Sequence, residues 1–162
     1  MLIMNTELYN LAKKVGFVLK AKQLFIATAE SCTGGLLAAT LTEVPGSSEY
    51  FDRGFITYSN TAKQEVLGVN SETLKKFGAV SEEVAKEMAK GALKNSHAQI
   101  AIAVTGIAGP AGGTENKPVG SVCVAWACLG SSTNTATMYF KGDRASIRMQ
   151  AVKCALEKLL HL

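Results

Sequence analysis

Apolar positions recur along this chain with two periods. Leu8, Leu11, Ala12, Val15, Val18 and Leu19 return at helical spacing, which predicts an amphipathic helix over residues 5–21. Residues 23–28 (Gln-Leu-Phe-Ile-Ala-Thr) form a short, mostly apolar run of strand length. A small-residue helix is expected at 36–42, a turn at Val44-Pro45-Gly46-Ser47-Ser48, and a second strand at 54–58. Asn70 reads as the cap of a short helix reaching residue 77. Ser81 caps a longer one, with Glu82 and Glu83 in the first turn, where the helix dipole favours them. Its inward stripe is Val84, Ala85, Met88, Ala89 and Ala92. Residues 99–105 are nearly all apolar, as in a central strand buried on both faces. Two more strands, 119–128 and 133–140, are joined across Gly130-Ser131-Ser132 as an antiparallel hairpin. Asp143 then caps a last helix to about residue 160, burying Ile147, Ala151, Cys154, Ala155 and Leu159.

The resulting order, α-β-α-β-α-α-β-β-β-α, distributes helices among strands. It predicts an α/β fold: a three-layer α/β/α sandwich around a mixed, mostly parallel sheet. The length of 162 residues and 48% hydrophobic content suit one domain, 1–162, with a sizeable core. Lys and Arg exceed Asp and Glu by 17 to 13, but they are scattered singly or in pairs, and only 7% of residues are aromatic. That pattern argues against a nucleic-acid surface, which needs a basic patch with interleaved aromatics. Glu7, Lys13, Lys14, Lys20 and Lys22 interrupt the N-terminal helix, so neither a signal sequence nor a membrane span is expected. The four cysteines, Cys32, Cys123, Cys128 and Cys154, form no C-x-x-C pair and no zinc spacing. Cys123 and Cys128 lie in one strand at a spacing that turns them to opposite faces. Isolated thiols of this kind point to a reducing compartment, the cytoplasm.

Four segments carry possible chemistry. In Ala29-Glu30-Ser31-Cys32-Thr33-Gly34-Gly35 a strand turns into a helix, so Ser31 sits near free amides suited to an oxyanion or phosphate. Ser31 or Thr33 is then either a plain helix cap or, for Ser31, a nucleophile. His97 and His161 are poorly placed as its base, which leaves a lysine with a lowered pKa. Tyr58-Ser59-Asn60-Thr61-Ala62-Lys63 offers one; taken alone, Lys63 also reads as a solvated lysine and Tyr58 as a core or rim residue. The glycine-rich segment 105–113, with Thr105, Gly106, Ala108 and Gly109, either cradles an anion or is an ordinary loop. Arg144 in Gly142-Asp143-Arg144 is a fork for phosphate or carboxylate, or a surface arginine. Cys32 is a rival nucleophile or an inert buried thiol. No metal-ligand constellation is visible.

Taken together, Ala-Glu-Ser-Cys-Thr-Gly-Gly at 29–35, Pro-Gly-Ser-Ser at 45–48, Gly-Phe-Ile-Thr-Tyr-Ser-Asn at 54–60 and Lys63 resemble the CinA C-terminal domain family. The same holds for Gly-Ala-Val-Ser at 78–81, Thr-Gly-Ile-Ala-Gly-Pro at 105–110, Gly-Gly-Thr at 112–114, Lys-Pro-Val-Gly at 117–120 and Gly-Asp-Arg at 142–144. The resemblance implies an α/β/α domain that, in its stand-alone form, hydrolyses the carboxamide of nicotinamide mononucleotide to nicotinate mononucleotide and ammonia. It implies Ser31 as nucleophile, with Lys63 and Tyr58 as its catalytic partners. Cys32, Thr33, Gly34, Thr105, Gly106, Ala108, Gly109 and Arg144 would bind substrate. It implies no cofactor, no nucleic-acid or membrane partner, and a possible homodimer. Longer members carry an N-terminal domain, for which this chain has no room. The alternative is a non-catalytic nucleotide-binding or competence-associated interaction domain.

Overall fold

The computed structural model describes residues 5–161. Helix α1 (Thr6–Ala21) starts at Asn5, whose side chain accepts the Glu7 amide, and buries Leu8, Leu11, Ala12, Val15 and Leu19. It ends in a turn at Gln23, which has φ of 54° and hands the chain to strand β1 (Ile26–Glu30). The strand expected at 23–28 is therefore displaced towards the C-terminus, because residues 23 and 24 close the helix through the Lys20 and Leu19 carbonyls. The displacement puts Ser31 directly at the end of β1. Helix α2 (Leu36–Thr42) leads through a short 3-10 turn at Ser47–Glu49 to strand β2 (Phe51–Ile56). This strand too is shifted from the expected 54–58, and Tyr58 falls beyond it.

Three helices rather than the two expected separate β2 from β3: α3 (Asn60–Leu67), α4 (Ser71–Phe77) and α5 (Glu82–Lys94). The additional one is α3. Ser59 caps it by accepting the Ala62 amide, and Gly68 closes it at φ of 69°. It buries only Lys63 and Leu67 and so shows no apolar stripe. Strands β3 (Ile100–Gly106), β4 (Ser121–Cys128) and β5 (Asn134–Tyr139) follow, then α6 (Arg144–Glu157), capped by Asp143. The final turn, Lys158–His161, is 3-10 helix rather than a continuation of α6. No helix among the described residues is long and apolar enough to cross a membrane.

The strand order is β2-β1-β3-β4-β5. β1 pairs in parallel with β2 and β3, while β4 is antiparallel to both of its neighbours. Four of the five strands thus run in one direction around a single reversed one. The sheet's two faces are unequal. Ile100, Ile102 and Val104 of β3 meet the layer of α1, α2 and α6, whereas Ala101 and Ala103 meet α5. Alanines let α5 lie close to the sheet. Gly91 of α5 approaches Leu67 of α3 so closely that a Cβ there would lie 2.0 Å from the Leu67 carbonyl oxygen. Cys123 and Cys128 of β4 face opposite layers, as their spacing predicts, and Cys154 is half-buried rather than part of the core. From β1 the chain returns to the sheet at β2 on one side, while β3 lies on the other. The carboxyl ends of β1 and β3 therefore flank the switch point where open α/β sheets form their ligand crevices.

Candidate active site

The Ser31 amide donates to Val104 of β3 at 2.9 Å, fixing the first residue past β1 against the neighbouring strand. The Thr57 amide donates to the Glu30 carbonyl at 2.9 Å and aligns the exit of β2 beside it. From α3, Lys63 reaches into this junction. Its Nζ lies 3.0 Å from Ser31 Oγ, 3.0 Å from the Thr57 carbonyl and 3.2 Å from the Tyr58 carbonyl. The lysine is 1% exposed and Ser31 is 8% exposed. Lys63 takes part in none of the ion pairs found among the described residues. Burial without a counter-charge disfavours the ammonium, and the Lys63 pKa is held below the ordinary lysine range.

This geometry limits how Lys63 can bond in its neutral form. A neutral amine has two N–H bonds and one lone pair. The Thr57 and Tyr58 carbonyls can only accept, so they take both N–H groups. As an ammonium, Nζ donates to Ser31 Oγ; once neutral, its lone pair faces the Ser31 hydroxyl, which then donates to it. A serine and a general base in hydrogen-bond reach, the base held by further groups, is the arrangement of an activated nucleophile.

The turn beside Ser31 is held from two sides. Glu30 is fully buried, and its carboxylate accepts the amides of Leu37 at 2.8 Å and Ala38 at 3.0 Å. The positive end of α2 is thereby occupied by Glu30. The amides of Cys32, Thr33 and Gly35 have no acceptor among the described residues, while Gly34 donates to the Ser31 carbonyl. On the other side Arg148 of α6 donates through Nη2 to the Thr33 carbonyl at 2.7 Å. Neither Glu30 nor Arg148 stands out as a site residue in the sequence alone. The signals were present: an acid ending an apolar strand, and an arginine one helical turn beyond Arg144.

Cys32 is 6% exposed and packs in the core cluster of the α1, α2 and α6 layer. Burial pushes its thiol up to about 11, so at neutral pH it is not a thiolate. Thr105 is buried, and its hydroxyl donates to the Ala79 carbonyl at 2.8 Å. Gly106 lets the chain pass β4, where a Cβ would stand 2.8 Å from the Ser121 carbonyl oxygen. The following loop is closed by Ile107 to Ser121 and by Gly120 to Ile107, with Ala108 buried. Arg144 ties the loop to the site, donating to the Gly109 carbonyl at 2.8 Å and to the Tyr58 hydroxyl at 2.9 Å. Tyr58 is thus divided between two tasks. Its carbonyl receives Lys63, and its ring, 60% exposed, carries the hydroxyl out to Arg144 at the rim.

The fold and this junction together define an α/β protein with a buried serine–lysine pair at the switch point of its sheet. The model of the CinA C-terminal domain matches residues 8–162, and the chain belongs to that family. It is 50% identical over 155 residues to nicotinamide-nucleotide amidohydrolase PncC of Escherichia coli strain K12, covering 96% of this chain and 94% of that protein. It is 49% identical over 154 residues to the PncC of Enterobacter agglomerans, covering 95% and 94%. Among solved structures, the competence/damage inducible protein CihA of Agrobacterium tumefaciens superposes with a TM-score of 0.95 at 46% identity, covering all of both chains.

Proposed function

We propose that this protein is a nicotinamide-nucleotide amidase that hydrolyses the carboxamide of nicotinamide mononucleotide to nicotinate mononucleotide and ammonia. The observation that carries the chemistry is the buried Lys63 amine, without a counter-charge, facing Ser31 Oγ at 3.0 Å. The substrate comes from the similarity to proteins named nicotinamide-nucleotide amidohydrolase over nearly the whole chain.

In this reading Ser31 Oγ attacks the carboxamide carbon while its proton passes to Lys63 Nζ. The C–N bond breaks, and the leaving nitrogen takes that proton and departs as ammonia. Water attacks the resulting ester, its proton passes through Lys63, and Ser31 is released together with the carboxylate product. The Cys32 and Thr33 amides are the donors available for the oxyanion, since Glu30 occupies the start of α2. Tyr58 orients Lys63 through its carbonyl and Arg144 through its hydroxyl. Arg144, with the loop around Gly106, Ala108 and Gly109, takes the 5′-phosphate and sets the ring for attack. Amide hydrolysis transfers no electrons, so no redox cofactor enters the scheme. The four free cysteines suit work in a reducing cytoplasm.

The test is ammonia release from nicotinamide mononucleotide. Wild type is expected to turn over, and folded Ser31→Ala and Lys63→Ala variants are expected to lose about 10³-fold or more in kcat. Arg144→Ala is expected to act chiefly on KM. Nucleotide binding without ammonia release would replace this reading with that of a binding module. Activity surviving in Ser31→Ala would overturn the serine mechanism.

A further inference from the structure

Arg148 stands outside the chemistry described above, yet its guanidinium reaches from α6 to the turn after β1. Its Nη2 donates at 2.7 Å to the Thr33 carbonyl, which also accepts the Leu36 amide and so begins the turn into α2. The nearest heavy atom to a Cβ built at Gly34 would be the same Nη2, at 3.6 Å. Arg148 Nε is buried and has no acceptor among the described residues. Leaving such a donor unpaired is costly, and a methionine or leucine at this place on α6 would pack without that penalty. What offsets that cost is the bond its Nη2 makes to the turn.

It holds the turn that carries the nucleophile. Glu30 fixes that turn through the Leu37 and Ala38 amides at its far end. Arg148 fixes its middle, between Ser31 and the helix. Arg144, on the same helix, fixes the glycine-rich loop and Tyr58. We infer that Arg148 is a positioning residue for the reaction: it sets the Ser31–Gly34 turn so that the Cys32 and Thr33 amides stand in register with Ser31 Oγ. The inference deepens the serine-hydrolase reading and rests on it for the role of Ser31.

Two variants test it. Arg148→Met keeps the aliphatic packing and removes the donor; Arg148→Lys keeps the charge and loses the planar fork. Each is compared with wild type by melting temperature, by kcat and KM for nicotinamide mononucleotide, and by the rate at which a small fluorophosphonate labels Ser31. Both variants are expected to lose about 100-fold in kcat and in labelling rate, the loss typical of a misplaced nucleophile or a displaced oxyanion donor. KM is expected to stay within about threefold, and the acid limb of the pH profile is expected not to move, because Lys63 is untouched. A folded variant with near-wild-type kcat and labelling overturns the inference, as does a loss confined to KM. If Arg148→Met melts below the assay temperature, Arg148→Lys carries the decision. Labelling also separates the two readings. If wild type releases no ammonia while labelling still depends on Arg148, the substrate assignment fails and the positioning role stands.

Discussion

Three oxygens surround Lys63 Nζ, and none of them carries a charge. This suits the residue to the base role proposed for it and makes its protonated form a local destabiliser of the fold. Because burial lowers its pKa, the unfolded chain holds a proton that the native protein lacks between the native value and about 10.4, the ordinary lysine value. In that window the unfolded state binds more protons, so stability rises with pH and is lost as pH falls through the native value. The difference between wild type and Lys63→Met in melting temperature against pH should show this slope, present in wild type and missing in the variant. In the proposed mechanism the same titration sets activity. The pH profile of kcat/KM is expected to fall on the acid side, with a limb below the ordinary lysine range. Cys32 should stay unreactive towards thiol reagents near neutrality in the folded protein, since burial holds it protonated.

The position of Lys63 depends on α3, and the position of α3 depends on a glycine in another helix. Gly91 of α5 admits the Leu67 carbonyl at a distance no side chain would allow. Gly91→Ala is therefore expected to push α3 outward, costing about 1–3 kcal/mol or more in denaturant unfolding, with kcat falling beyond what the stability loss explains. α3 is also where reading the sequence alone fell short. A helix that buries only Lys63 and Leu67 has no periodic apolar face to detect, although its Ser59 cap and Gly68 terminator are both present in the sequence. The helices with broad stripes were legible for the opposite reason: α5 buries the residues that its spacing marks, and α1 all but Val18, which is half-buried. Strand limits moved by two or three residues at β1 and β2, because a turn residue such as Gln23 extends an apolar run without joining the ladder.

For the whole molecule, the sheet separates two cores of different grain. One face of β3 presents Ile100, Ile102 and Val104, the other Ala101, Ala103 and the buried Thr105. Ile102→Ala is expected to open a cavity and cost about 2–5 kcal/mol. Ala103→Leu is expected to cost about 1–3 kcal/mol by overpacking against α5. Trp126, whose indole N–H donates to the Ala155 carbonyl at 2.9 Å, links β4 to α6 and reports both unfolding transitions by fluorescence. α6 has a wider role than a cover for the sheet. Arg144 and Arg148 reach the three segments that form the site: the turn after β1, the residues after β2 and the loop after β3.

The sequence by itself determined the layered α/β class, the inward faces of the long helices and the short segments that hold Ser31, Tyr58, Lys63 and Arg144. These are written in periodicity, caps and glycine placement, which are local properties. Tertiary structure decided which of those segments meet and through which atoms. It set Lys63 on Ser31 with two backbone carbonyls behind it, and it gave the start of α2 to Glu30. It also turned the Tyr58 hydroxyl away to Arg144 and brought in Arg148 from 115 residues away. Local pattern cannot encode such pairings. They arise when strands distant in the chain come into register, and a buried side chain must then take whichever partners lie within hydrogen-bond reach.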